Sequence, residues 1–214
     1  MNSLKTIKKI YAGYKAMTHK DPHPIIKVNG QDVIFIHILK TAGTSIYNAI
    51  GQNFKLHLPV TEVIRRVGKS NFENAYKFAF VRNPWDKVYS HYKYNVKTNQ
   101  QAMKENPIDF NEWVLKCFGE NKDYFYYHRQ IQFTDQLTWL EDHSKNIAVD
   151  FIGRFESINE DFEKIREHLN IDHGLPHLNK TNEINSYREK YNSVTKEIIA
   201  ATFKRDIEYF NYKF

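Results

Sequence analysis

The chain has 214 residues, with 31 Lys and Arg against 25 Asp and Glu, for a net charge of +6. Hydrophobic residues make up 41% and aromatic residues 15%, which suffices for one packed domain and excludes a largely disordered chain. The single cysteine, Cys117, excludes an intramolecular disulfide and a cysteine-based zinc finger, and no apolar run approaches the roughly 20 residues that span a bilayer.

The charge is uneven. In residues 1–30, Lys5, Lys8, Lys9, Lys15, Lys20 and Lys27 face only Asp21, so that segment carries +5 and the remainder +1. Leu4, Ile7, Ile10, Tyr11, Tyr14 and Met17 recur there at helical spacing, with lysines on the other face. The expected division is a basic, helical N-terminal segment at 1–30 and a body at 31–214. The segment lacks the continuous apolar stretch of a secretory signal. A nearly neutral body also weakens a nucleic-acid reading of the basic excess.

Asp32 to Ile38 is short, β-branched and apolar, as a buried parallel strand is. It runs into L-K-T-A-G-T-S, and Ser45 to Ile50 turns helical. A second strand, Phe78 to Val81, leads to Arg82-Asn83-Pro84, where Asn83 caps and Pro84 opens a helix to about Lys97. A third strand is Val149 to Gly153. Ser157 and Glu160 form a capping box for a helix ending near Leu169. Ser193 begins the last helix, with Ile198, Thr202 and Ile207 as inward candidates. The pattern predicts a single α/β domain with a central parallel sheet of about five strands flanked by helices.

The loop after the first strand carries the clearest chemistry. A tight strand-to-helix loop exposes backbone N–H groups at the positive end of a helix and so binds anions. Gly43 permits close approach of the backbone to an oxyanion. Thr41, Thr44 and Ser45 add hydroxyls, Ala42 adds an amide, and Lys40 adds a charge. The order is wrong for a Walker A loop, because Lys40 precedes the only glycine. Arg82 at the end of the second strand sits where open α/β sheets bind ligands. Ser90 lies two turns into the next helix, on a face turned toward Arg82. Two separate phosphate sites imply a nucleotide phosphorylated at two places.

A general base near neutral pH points to histidine. His37, His57 and His91 are the histidines nearest the two phosphate segments in the chain. His168, His173 and His177 are close in sequence without a metal-ligand pattern, and a solvated loop accounts for them. Tyr124 to Gln130 is either an acceptor groove or a helix packed on the sheet, with Gln130 and Gln132 as acceptor hydrogen-bonding groups. Arg65, Arg66 and Lys69 form a basic patch near His57 that either is solvated or attracts an acidic acceptor. Cys117 follows Trp113 and Val114 at helical spacing and reads as inert core.

F-I-H-I-L-K-T-A-G-T-S and F-V-R-N-P-W-D-K-V-Y-S resemble the two signature segments of sulfotransferases that use 3′-phosphoadenosine 5′-phosphosulfate. The likeness is nearest to the carbohydrate branch, including heparan sulfate 2-O-sulfotransferases and chondroitin-type enzymes. V-D-F-I-G-R-F-E-S-I-N-E-D-F, L-P-H-L-N-K-T and I-I-A-A-T-F-K-R-D-I-E-Y-F-N-Y are similar to later segments of that branch. Leu39 departs from it, standing where the family has proline. The resemblance implies a sulfotransferase fold related to phosphate-loop kinases. It implies that Lys40, Thr41, Ala42, Gly43, Thr44 and Ser45 hold the 5′-phosphosulfate and that Arg82 and Ser90 hold the 3′-phosphate. Lys180 and Thr181 match a segment that closes over the donor. Transfer would be in-line and without metal, Lys40 neutralising the leaving oxygen, with adenosine 3′,5′-bisphosphate as product. The branch places its catalytic histidine in the interval that holds His57, which makes His57 the expected base, with His91 second. The expected acceptor is a hydroxyl, less favourably an amine, of a carbohydrate or small metabolite. No nucleic acid and no stable membrane insertion are expected, in a cytoplasmic, bacterial enzyme. The alternatives are a phosphate-loop nucleotide kinase and a non-catalytic polyanion-binding module.

Overall fold

A computed structural model of the protein describes residues 22–52, 55–127, 130–175 and 187–214. The helix expected over residues 4–17, and the expected donor contacts Lys180 and Thr181, lie outside the described residues. The β-branched run after Gly30 forms β2 (Gln31–Ile36), which pairs antiparallel with β1 (Ile26–Val28) through the turn at Asn29 and Gly30. It pairs on its other side in parallel with β3 (Tyr76–Val81), Val33 opposite Tyr76 and Ile36 opposite Ala79. β3 pairs in parallel with β4 (Phe151–Arg154), Phe78 opposite Phe151 and Val81 opposite Arg154. Among the described residues the sheet therefore has four strands in the order β1-β2-β3-β4, not about five parallel ones. β1 is antiparallel because a short turn reaches only an antiparallel neighbour, whereas parallel strands require a crossover.

The crossovers supply the helices. Between β2 and β3 lie α1 (Gly43–Ala49), α2 (Val60–Val67) and α3 (Lys69–Asn74). Between β3 and β4 lie α4 (Pro84–Lys97), α5 (Phe110–Phe118), α6 (Tyr124–Tyr127) and α7 (Leu137–Leu140). After β4 come α8 (Ile158–His168), α9 (Ser193–Thr202) and α10 (Lys204–Phe210). α4 begins as expected: the Asn83 side chain accepts from the Trp85 amide at 3.1 Å and Pro84 occupies the first turn.

Alternation along the strands splits the core. Ile34, Ile36, Ala79 and Val81 face α2, α3, α7 and the end of α10. Val33, Phe35, Phe78 and Phe80 face α1 and α8. A third cluster has no strand in it: Trp85 and Val88 of α4, Trp113, Val114 and Cys117 of α5, and Ile199 and Phe203 at the end of α9. The ends of β2, β3 and β4 align at one edge of the sheet, and the loops that leave them carry the polar residues described next.

Two local expectations are corrected. Ser157 makes no side-chain cap to α8; its hydroxyl donates to Asp161 Oδ2 at 2.7 Å, an oxygen that also accepts from the Arg154 amide. The last helix breaks at Phe203 into α9 and α10, which turns Ile199, Phe203, Asp206 and Phe210 inward and leaves Thr202 exposed.

Candidate functional site

The loop from β2 to α1 folds tightly. Lys40 and Ala42 both adopt left-handed backbone, with φ of 67° and 66°, at a cost of about 1–2 kcal/mol each. Thr41 between them is fully buried, and its hydroxyl donates to the Ile38 carbonyl at 2.8 Å. Thr41 thus pins the loop, and its hydroxyl hydrogen is spent inside the protein. Ser45 is buried in α1 and its amide returns to the Ala42 carbonyl at 2.9 Å, whereas Thr44 is exposed. The Gly43 and Thr44 amides, the first two of α1, have no carbonyl one turn earlier in the helix to bond to. Gly43 is required for space: a Cβ there would stand 1.8 Å from His37 Nε2.

Arg82 leaves β3 directly beside this loop and is 9% exposed. Its Nε donates to Asp86 Oδ2 at 2.8 Å and its Nη1 to the Lys40 carbonyl at 3.0 Å. The guanidinium lies 3.7 Å from the centroid of the Phe155 ring, which follows β4. Its backbone is bracketed by Gln136, which accepts from the Arg82 amide and donates to the Arg82 carbonyl, each at 2.9 Å. Gln136 is held in turn by Asp206 of α10, whose carboxylate accepts from the Gln136 and Leu137 amides. Ser90, partly buried, lies one turn beyond Asp86 and so on the same face of α4. Lys93, Tyr94 and Lys97 continue along that side. Lys40 Nζ rests 4.1 Å from the Tyr94 ring centroid.

The cations converge. Burial, together with the positive charges of Arg82, Lys55, Lys97 and Lys93, lowers the Lys40 ammonium to about 8. Both burial and the neighbouring like charges disfavour the ammonium form.

His57 stands at the same edge. Its Nδ1 lies 3.1 Å from the His37 carbonyl oxygen. A carbonyl only accepts, so Nδ1 carries the hydrogen. Burial lowers the His57 pKa, opposed by that hydrogen bond and reinforced by Lys55 and Lys40. The imidazole is thus neutral at pH 7, with its lone pair on Nε2, as a general base requires.

The other candidates fall elsewhere. His91 is buried against Trp113 and Phe133, in the helical layer. Arg65 and Arg66 both pair with Glu62, and Lys69 with Glu73, so the basic patch is compensated. His168 stacks on Tyr76 at 4.0 Å. Tyr124 and Phe125 are exposed on the short α6, and Gln130 and Gln132 lie in the turn that follows. Cys117 is fully buried and its thiol is pushed up by burial. His177 lies outside the described residues. Among the described residues no group of His, Cys, Asp or Glu is placed to hold a metal ion, and no helix is long and apolar enough to cross a membrane. Asp86 was within reach of the sequence, four residues after Arg82. Gln136, Phe155 and Asp206 give no local signal.

A family model described as the sulfotransferase family matches residues 25–213. An uncharacterized protein of Archaeoglobus fulgidus is 30% identical over 132 residues, which are 62% of this chain and 98% of that protein. A crystal structure of a sulfotransferase from Alicyclobacillus acidocaldarius is 16% identical, with a TM-score of 0.34. That match covers 65% of this chain and 58% of the other.

Proposed function

The chain belongs to the sulfotransferase family, and from that premise we propose that it transfers a sulfuryl group from 3′-phosphoadenosine 5′-phosphosulfate to a hydroxyl, less favourably an amine, of a carbohydrate or small metabolite. The observation that carries the reading is the neutral His57, lone pair on Nε2, beside the crowded cations of Lys40 and Arg82. The donor supplies the sulfuryl group and a nucleotide leaving group. Lys40, the amides of the loop, Thr44 and Ser45 hold the 5′ end. Arg82 and Ser90 hold the 3′-phosphate, and Lys180 and Thr181 close over the nucleotide.

His57 Nε2 takes the proton of the acceptor hydroxyl as its oxygen becomes bonded to sulfur. Lys40 neutralises the charge left on the departing oxygen, the kind of electrostatic stabilisation that is often the largest catalytic contribution. The residues serve without a metal. The carbohydrate branch is favoured by the sequence segments it shares, and a basic N-terminal segment at 1–30 precedes the catalytic body. A cytoplasmic, bacterial setting belongs to the same proposal.

The test is incubation with labelled donor and a panel of sugar and small-molecule acceptors, with and without EDTA. Labelled acceptor, insensitive to EDTA, is expected. Failure to bind adenosine 3′,5′-bisphosphate would overturn the reading. His57→Ala is expected to lower turnover and leave bisphosphate affinity nearly intact; full turnover would place the base elsewhere.

A further inference from the structure

His37 stands between the loop and the base. It follows β2 and is 4% exposed. One edge of its ring fills the volume that a side chain at position 43 would need. Its ring centroid is 4.0 Å from that of His57, with the planes at 35°. Phe35 stacks on it at 5.4 Å, and Tyr47 meets it edge-on at 5.4 Å. The Tyr47 hydroxyl is bonded to the Leu56 amide and carbonyl, which steadies the chain just before His57. The His37 carbonyl accepts the His57 Nδ1 hydrogen. The His37 Nδ1 is buried without a hydrogen-bond partner, so packing, not hydrogen bonding at Nδ1, orients this ring.

We propose that His37 is a positioning residue, a spacer whose ring sets the distance between Gly43 of the anion loop and the His57 ring while its carbonyl fixes the His57 tautomer. His37, one residue past the end of β2, reaches both segments because Gly43 returns against its ring and His57 lies against its ring and carbonyl. The proposal rests on the reading of His57 as base, and it adds a geometric demand: the loop and the base share one rigid contact. A shift of the His57 ring by the width of a missing imidazole would misplace Nε2 relative to an acceptor, at a cost of about 10- to 100-fold in turnover.

The experiment compares His37→Ala, His37→Phe, Gly43→Ala and the double variant Gly43→Ala with His37→Ala. His37→Ala is expected to lower kcat by about 10-fold or more with little change in bisphosphate affinity, and His37→Phe, which keeps the ring, to retain most of kcat. Gly43→Ala is expected to weaken bisphosphate binding, and the double variant to regain affinity but not turnover. NMR titration of the His57 ring supplies a readout independent of catalysis. The groups that face His57 are His37, Lys55 and Lys40. With the two lysines retained, His37→Ala admits water and moves the His57 titration up toward its ordinary 6.5, and His37→Phe leaves it low. Damage by His37→Phe equal to that by His37→Ala would overturn the spacer, as would an unmoved His57 titration in His37→Ala. If His57→Ala kept full turnover while the titration moved as expected, the choice of base would fail and the contact would stand.

Discussion

Arg82 Nη1 donates to the Lys40 carbonyl oxygen at 3.0 Å, so the side chain proposed to hold one phosphate also holds the loop proposed to hold the other. The two segments lie 42 residues apart and come from neighbouring parallel strands. Their spacing is therefore set by the sheet, with the guanidinium as a cross-tie.

Arg82→Lys keeps the charge and loses the cross-tie. One ammonium cannot serve Asp86, the Lys40 carbonyl and the Phe155 face together. Bisphosphate affinity is expected to fall by about tenfold or more, about 1.4 kcal/mol, measured by titration calorimetry. Unchanged affinity would mean that Arg82 acts as a point charge only.

Binding is expected to depend on pH through Lys40. The protonated form holds the anion, so affinity is full below about 8 and declines above it. A bound anion favours the ammonium, so binding one unit above that value draws a proton from the buffer. Calorimetry in two buffers of different ionisation enthalpy reads this uptake, and zero uptake would remove Lys40 from the site. His57 is held below 6.5, chiefly by burial, so the acid limb of kcat/KM falls below that pH and kcat/KM stays flat from there to about 8.

Gln136 touches no expected ligand atom, yet it brackets the Arg82 peptide from a fully buried position. Gln136→Ala strands the Arg82 amide and carbonyl and one side of the Asp206 carboxylate. A loss of about 2 kcal/mol or more in urea unfolding is expected, with weakened bisphosphate binding. Stability within about 0.5 kcal/mol of the parent would show that water replaces the bracket.

Lys55 and Arg65 are both basic and both near the His57 segment, but their surroundings differ. Lys55 acts on Lys40, His37 and His57, whereas Arg65 is paired with Glu62. Lys55→Ala is expected to weaken bisphosphate binding several-fold and to flatten its salt dependence. Arg65→Ala is expected to leave kcat/KM within about twofold of the parent. Equal effects would restore the basic patch as part of the site.

The elements that the sequence made legible are those with local causes. β2 and β3 follow from β-branched and aromatic runs, and α4 from Asn83 and Pro84 at its start. The loop at Lys40 to Ser45 was legible because a strand ran into small residues and a glycine. What was hidden depends on distant partners. Ser157 and Glu160 have capping-box spacing, but Asp161 competes for the serine. Arg65 and Arg66 looked basic until Glu62, three and four residues earlier, turned toward them. Gln136 and Asp206 are joined across 70 residues, and no pattern along the chain marks such a pair. His37 stands in the sequence only as one of three histidine candidates, and its contact with His57 emerges only once residues 20 apart are folded together.

The lone thiol offers a kinetic consequence. Cys117 sits in the helical layer, on α5, in a cluster that also contains Trp85 and Val88 of α4. α4 begins immediately after Arg82 and Asn83. A thiol reagent reaches Cys117 only when this layer parts, so its labelling rate is a clock for opening of the scaffold behind the Arg82 segment. A ligand that clamps Arg82 should slow that clock, and one that seats only on the outer face of α5 should leave it running.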